Sequence, residues 1–270
     1  MCAILDLNHP DNELIAAMTA AAAHRGPDDT GIFTDLQVSL GHNRLSILDL
    51  SPLGHQPMAV GGLQIVFNGE IYNFKELQAE LVAAGEQFVS ASDTEVIVRG
   101  YAREGEKFFN KLRGMWAFAI YDSEKQKIIL SRDPFGIKPL YAYLHDGHFA
   151  FASELRALRP GLQRWGATDN ALAHRLSFSL GYMPAPHTRF VEVQEVVPGE
   201  VLSFDLVHKN LIPVGTIAPY MDTAPQTLEA ALDDTVRAHF VSDVPVGIFY
   251  SGGIDSTLLL AKARELGFDP

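Results

Sequence analysis

Two stretches constrain the fold of this chain most: "MWAFAIYDSEKQKIILSRD" (115–133) and "LYAYLHDGHFAFASE" (140–154). Each is a pair of apolar, β-prone runs joined by a short polar turn, the pattern of an antiparallel hairpin. Up to about residue 205 the chain continues in this manner, with a few helices interspersed. That texture predicts an α+β layered domain built on antiparallel sheets. "LQIVFNGEIYNF" (63–74) is a further β-rich run, in which Asn68-Gly69 reads as a tight turn. Directly after it, Asn73 and Glu76 make an N-cap/N3 pair. The helix "FKELQAELVAAG" then presents Leu77, Leu81 and Ala84 on one face and stops at Gly85. Ser92 and Glu95 repeat that start signal before "TEVIVRGYAREG". "LIAAMTAAAA" (14–23) is an Ala-rich helix and not a signal peptide, because Asp11 and Glu13 precede it where basic residues belong. It is also too short to cross a bilayer.

The segment 158–225 carries seven prolines and reads as connecting structure with a few strands, "EVLSFDL" among them. After Pro225 the texture changes. "TLEAALDDTVRAHF" is helical, "VGIFY" is a continuous apolar strand, and "STLLLAKARELG" is a helix ended by Gly267. A buried strand, a glycine turn and a helix open a parallel α/β domain. One strand and one helix cannot bury both faces of a sheet, so this second domain is expected to be incomplete, as in an amino-terminal fragment or a truncated product. The 270 residues leave room for one large domain or two. Acidic residues outnumber basic ones 33 to 21, a formal charge of −12, which argues against a nucleic-acid groove. No internal repeat is evident.

Cys2 is the chain's single cysteine, so these residues hold no internal disulfide and a reducing, cytoplasmic setting is expected. A free cysteine packs well as a small apolar residue. Position 2 offers another role. Trimming of Met1 would leave a thiol beside a free α-amine, and an amine with a pKa of about 7.7–8.0 can take the proton of a thiol near about 8.5. Such a residue is its own nucleophile and base. "SGGIDS" (251–256), between the apolar strand and its helix, is neither a Walker A nor a Rossmann sequence. Its glycines and helix-start N–H groups suit a pyrophosphate, with Asp255 placed to help hold Mg²⁺. The plainer alternative is a glycine turn with Asp255 or Ser256 as a helix cap. The pairs His42/His55 and His145/His148 lack any zinc-ligand spacing; the second reads as a hairpin tip.

Further motifs accumulate: "MCAI", "HRGPDD" (24–29), "GHNRLSILDLSPLGHQPM" (41–58), "FNGEIYNF", "SDTEVI" (92–97), "LRGMWAFAIYD", "SRDPFGIKPLY" (131–141), "FASELRAL", "PAPHTRF" and "DVPVGIFYSGGIDS". In this order the set resembles the glutamine-hydrolysing asparagine synthetases, class II glutamine amidotransferases, over nearly the whole chain. The resemblance implies a four-layer αββα N-terminal-nucleophile sandwich at 2–205, a linker at 206–225, and the beginning of an ATP-pyrophosphatase domain at 226–270. It implies Cys2 as nucleophile, its freed amine as base acting through a water, and Asn68 and Gly69 as the oxyanion hole. Arg44 would clamp the α-carboxylate of glutamine. Glu70 and Asp93 would hold its α-ammonium, with backbone carbonyls near Ile47 and Leu48 assisting. Ser251, Gly252, Gly253 and Ser256 would take pyrophosphate, Asp255 Mg²⁺, and Phe249 would lie near adenine. Taken singly, Asn68-Gly69 could be a hairpin turn, Asp93 a helix cap, Arg44 an ion-pair partner and Glu70 a strand-end charge.

The implied partners are glutamine, aspartate and ATP with Mg²⁺, with no cofactor for the glutaminase step, no nucleic acid and no membrane; a homodimer is a further expectation. The family commonly has glycine after the cysteine, where this chain has Ala3, a methyl group that bears on how glutamine seats beside the thiol. Two rival readings stand beside asparagine synthesis. One changes the acceptor to another carboxylate, in natural-product or surface-sugar synthesis. The other is a truncated relative that binds glutamine and turns nothing over.

Overall fold

Every residue of β1 (Ala3–Leu7) is buried because the strand is packed on both faces. Ile4 looks into the space between two sheets, while Ala3, Leu5 and Leu7 look outward toward helices. In the computed structural model, which describes residues 1–220 and 227–270, the next element is α1 (Asn12–Ala21), started by the Asp11 carboxylate accepting from the Leu14 N–H at 2.9 Å. Its Leu14, Ile15 and Met18 cover the outer side of β1. β2 (Asp29–Thr34) and β3 (Ser39–Arg44) pair as a hairpin, followed by β4 (Met58–Val60) and β5 (Leu63–Ile71). Then come α2 (Phe74–Ala83), α3 (Asp93–Glu104), and the hairpins β6 (Gly114–Asp122)/β7 (Lys127–Arg132) and β8 (Tyr141–His145)/β9 (His148–Ala152). The remaining elements are α4 (Leu155–Trp165), α5 (Ala171–Leu180), β10 (Val193–Glu195), β11 (Glu200–Asp205), β12 (Asn210–Thr216), α6 (Leu228–His239) and α7 (Ile254–Glu265).

Among the described residues the strands form two six-stranded sheets, ordered β10-β8-β9-β1-β3-β2 and β12-β11-β7-β6-β5-β4. Their inner faces interlock through Ile4, Leu40, Val66, Ala119, Leu130 and Phe151. Phe149 of the first sheet stacks on Phe204 of the second with centroids 4.1 Å apart, a pairing worth about 0.5–1.5 kcal/mol beyond its burial. α1 and α4 cover the outer face of the first sheet; α2 and α3 cover the second with Leu77, Leu81, Val96 and Tyr101. This is the four-layer αββα sandwich.

Several local expectations fail for physical reasons. Asn68-Gly69 makes no turn: both lie inside β5, opposite Ala117 and Trp116 of β6. Gly69 is required by close approach, since a Cβ there would stand 2.2 Å from Met115 O and 2.8 Å from Trp116 Cα. Asn73 does precede α2, yet its amide bonds Lys111 O and Arg113 N instead of closing a capping box. Ala84 is exposed; Phe74 joins Leu77 and Leu81 on the buried face, and Gly85 ends the run at φ +98°. Ser92 caps α3 by accepting from Thr94 N–H, but Glu95 turns to the N–H groups of Val89 and Ser90.

The proline-rich segment holds two helices, α4 and α5, with Pro160 inside the first. Within the expected linker, residues 210–216 are β12, paired to β11 in the second sheet; residues 221–225 of that linker, and Gln226 after it, lie outside the described residues. "VGIFY" is not a strand. Among the described residues no other strand of a parallel sheet stands beside it, and Phe249 and Tyr250 are exposed. A strand's backbone groups need a neighbour.

Candidate active site

β1 and β3 are neighbours in register Ala3↔Asn43, which sets Cys2, just before β1, beside Leu45, just after β3. The Cys2 thiol lies 3.7 Å from Leu45 O, to which it donates, and 3.4 Å from Leu45 N, from which it accepts. Across the sandwich β5 brings Asn68, Gly69 and Glu70, and the start of α3 brings Asp93. The sheets are tied here by His42, whose Nε2–H donates to Phe67 O at 3.1 Å; burial lowers its pKa to about 4, so the ring is neutral. Gln56, in the loop before β4, joins β5 to α3, accepting from Phe67 N–H at 2.6 Å and donating to Thr94 Oγ1 at 3.2 Å. The result is a cavity of about 260 Å³ lined by Cys2, Arg44, Ile47, Leu48, Asn68, Gly69, Glu70 and Asp93 together. All eight residues singled out for glutamine chemistry therefore meet in one place.

Their electrostatics are uneven. Arg44 is buried, and its guanidinium donates only to carbonyls, those of Leu48 (3.0 Å), Asp49 (2.5 Å) and Ser51 (3.3 Å). Among the described residues no carboxylate faces it within ion-pair distance. Gly54 leaves it room: a Cβ there would sit 2.0 Å from Arg44 Nη2. Asn68 is buried and its Nδ2 has no partner among the described residues, an unspent donor on the cavity wall. Asp93 accepts from Ile71 N–H at 2.9 Å, yet burial, with Glu70 adding to it, raises its pKa to about 7. Burial also raises Glu70, against the pull of Lys138, and pushes the Cys2 thiol up. The carbonyls of Ile47 and Leu48 already accept, from Asp243 N–H and Arg44 at 3.0 Å each, leaving each one lone pair.

Lys138 also lines the cavity, and its burial lowers its pKa. The lysine lies within "SRDPFGIKPLY", where nothing in the spacing marks it out, and Gly54 and Gln56 lie likewise within "GHQPM". With Met1 in place the α-amine belongs to Met1, which lines the cavity too, and the Cys2 nitrogen is a peptide N–H.

The "SGGIDS" residues stand apart from this cavity. Gly253 is the N-cap of the twelve-residue α7, Gly252 takes φ +78°, and Ser251 Oγ lies 3.2 Å from Ser256 Oγ. Asp255 sits in the first turn, so neither it nor Ser256 is the cap. The exposed N–H groups, two hydroxyls and a carboxylate are a donor set that fits phosphate oxygens and one cation. Phe249 is fully exposed and contributes no wall to it. Among the described residues no three carboxylate, imidazole or thiol groups gather as a metal centre, and no helix is long and apolar enough to cross a membrane. His55 pairs with Asp29 at 2.6 Å.

Facing antiparallel sheets between helical layers, with a cysteine at the head of a central strand opening on a polar cavity, define an N-terminal-nucleophile sandwich. The chain resembles the solved glutamine phosphoribosylpyrophosphate amidotransferase from Bacillus subtilis in this fold, at TM-score 0.60 and 18% identity, over 99% of this chain and 65% of that one. The model of the "Glutamine amidotransferase domain" family matches residues 1–211, and that of "Asparagine synthase" matches residues 227–267. The chain belongs to the glutamine amidotransferase domain family. It is 39% identical over 264 residues to asparagine synthetase [glutamine-hydrolyzing] 1 of Bacillus subtilis, covering 94% of this chain and 41% of the relative. To asparagine synthetase B [glutamine-hydrolyzing] of Escherichia coli it is 36% identical over 245 residues, covering 90% and 40%. The chain thus spans about two fifths of the length of these relatives.

Proposed function

We propose that this chain hydrolyses glutamine as the ammonia-supplying half of a glutamine-dependent asparagine synthesis, in which aspartate, ATP and glutamine give asparagine, AMP, diphosphate and glutamate. The observation that carries the reading is the meeting, in one cavity, of Cys2 with a buried donor (Asn68 Nδ2) and a buried guanidinium (Arg44) for which the described residues supply no acceptor and no carboxylate, respectively. Loss of Met1 frees the Cys2 α-amine. The amine takes the thiol proton through a water, and the thiolate attacks the side-chain amide carbon of glutamine. The oxyanion so formed meets Asn68 Nδ2 and the Gly69 N–H, donors each worth about 2.7–4 kcal/mol when removed. Ammonia departs with a proton returned from the amine, and water then cleaves the thioester to glutamate. Arg44 holds the α-carboxylate as a planar fork; Glu70 and Asp93 hold the α-ammonium, with the free lone pairs at Ile47 and Leu48.

The domain division belongs to the same proposal: a glutaminase unit, which β12 extends to about residue 216, and the opening of a synthetase unit after it. There, ATP would lie with its pyrophosphate on Ser251, Gly252, Gly253 and Ser256 and with Mg²⁺ at Asp255, Phe249 lying toward the adenine; ATP supplies the activation of the aspartate carboxylate. The support is the asparagine synthase match at 227–267 and the donor chemistry of the loop. A cytoplasmic setting and a homodimer rest on the family resemblance.

Intact mass of the protein from cells is expected to show Met1 removed, and a glutamine-like diazo-ketone to add once, at Cys2. Glutamate release from glutamine is expected to vanish in Cys2→Ala. Retained Met1, or undiminished release by Cys2→Ala, would falsify the mechanism.

A further inference from the structure

The glutamine cavity is held from outside by the chain's C-terminal part. Asp243, between α6 and α7, makes two bonds to the loop that follows β3: its N–H donates to Ile47 O at 3.0 Å, and its carboxylate Oδ2 accepts from Asp49 N–H at 2.8 Å. That N–H belongs to the Leu48–Asp49 peptide group, whose carbonyl, Leu48 O, accepts from Arg44 Nη2 at 3.0 Å. One peptide plane is therefore strung between a carboxylate on its N–H side and a guanidinium on its C=O side. Opposite charges at the two ends of an amide dipole polarise it in the same sense, so each bond strengthens the other. The neighbouring Asp49 carbonyl accepts from the same Nη2, and Asp49 itself is held at φ +51° with its carboxylate bonded to Ser51 and Ala91. Residues that set this plane also set where the guanidinium points.

We propose that Asp243 is a positioning residue for Arg44, acting through the Leu48–Asp49 peptide, so that the segment leading into "SGGIDS" tunes the affinity for the glutamine α-carboxylate. The inference rests on the reading of the cavity as a glutamine site. Val241, two residues earlier, packs against the core under α2 and α3 and fixes the segment's approach. Asp243 itself is exposed, so replacing it leaves no void in the fold.

The test compares two amides, glutamine and glutaminamide, which lacks the α-carboxylate, as substrates of the whole Met1-processed chain and its variants. In Asp243→Ala the glutamine KM is expected to rise about three- to tenfold, the range of one hydrogen bond, with kcat within about twofold. Turnover of glutaminamide is expected to be unchanged, because Arg44 has no carboxylate to hold. Asp243→Asn keeps an acceptor oxygen in place and is expected to recover most of the affinity. Asp243→Ser, too short to reach the Asp49 N–H, carries the same expectation as Asp243→Ala and stands in for it should that variant misfold. An unchanged glutamine KM, an equal loss on both amides, or a fall in kcat alone would each overturn the role of Asp243. Failure of the unsubstituted chain to release glutamate would instead overturn the glutamine reading itself, and the role of Asp243 with it.

Discussion

Asp6 shares the inward side of β1 with Ile4, is fully buried, and neither carboxylate oxygen has a partner among the described residues. Burial pushes its pKa well above the ordinary carboxylate range. Below about pH 3.9 the group is neutral folded and unfolded alike and carries no penalty. As the pH rises past that value, the unfolded chain gives up its proton while the folded chain keeps it, and stability falls by about 1.4 kcal/mol per pH unit until the folded group also ionises. Thermal melts of the chain and of Asp6→Asn are expected to diverge as pH rises above about 4, the variant gaining on the parent; parallel curves would remove the assignment. Asp93 has a different use for its raised pKa of about 7. A glutamine α-ammonium needs the ionised form, so the KM for glutamine is expected to fall as pH rises through about 7. In Asp93→Asn that limb is expected to disappear from the pH profile. A profile that keeps it would assign the titration to another group.

Strand β5 and the loop after β3 decide the cavity's shape through glycines that have no room for a side chain. Gly54→Ala would place a methyl 2.0 Å from Arg44 Nη2 and 2.7 Å from its Cζ. The guanidinium must swing away, and a displacement of that order can cost about a hundredfold in kcat/KM. Most of that loss is expected in KM, with labelling of Cys2 by a small thiol reagent undisturbed; a loss in kcat alone would contradict the assigned role of Arg44. These positions also mark how far the sequence could be read. The hairpins β6/β7 and β8/β9 and the helix start at Ser92 were legible from spacing, and the grouping of Cys2, Arg44, Asn68, Glu70 and Asp93 from the family resemblance that the motifs carry; the Asp11 cap of α1 was not. Asn68-Gly69 was not, because the same dipeptide serves a tight turn and a close strand contact, and only β6 pressing on Gly69 distinguishes them. Lys138 and Gln56 were hidden because burial beside the thiol comes from strands distant in sequence. "VGIFY" has a strand's composition, but pairing is a property of neighbours.

At the scale of the molecule, the C-terminal part meets the sandwich through apolar, aromatic and charged contacts, Val241 on the core among them. Tyr72 meets His239 with ring centroids 4.5 Å apart, and Arg113 pairs with Asp234 of α6. α7 is fastened to α6 through Lys262, whose ammonium lies 3.2 Å from Glu229, 3.1 Å from Asp233 and 3.2 Å from Glu265; the carboxylates hold its pKa above the ordinary lysine value. Lys262→Met removes the cation and leaves three carboxylates facing one another. Hydrogen exchange is expected to quicken across residues 254–265 while β5 and β6 keep their protection, because the sandwich core does not depend on that helix. Equal loosening of both would show one cooperative unit.

The outermost strand of the second sheet, β12, carries Pro213 and pairs with β11 across a register shift between Val201 and Leu202. Proline is at home on such a margin, where its missing N–H interrupts the row of donors that a stranger's backbone would need. In a crowded solution of many copies, this border discourages strand-by-strand accretion. Phe249 and Tyr250, by contrast, stand in water among the exposed apolar side chains, and a single charged substitution there would help to keep concentrated protein clear.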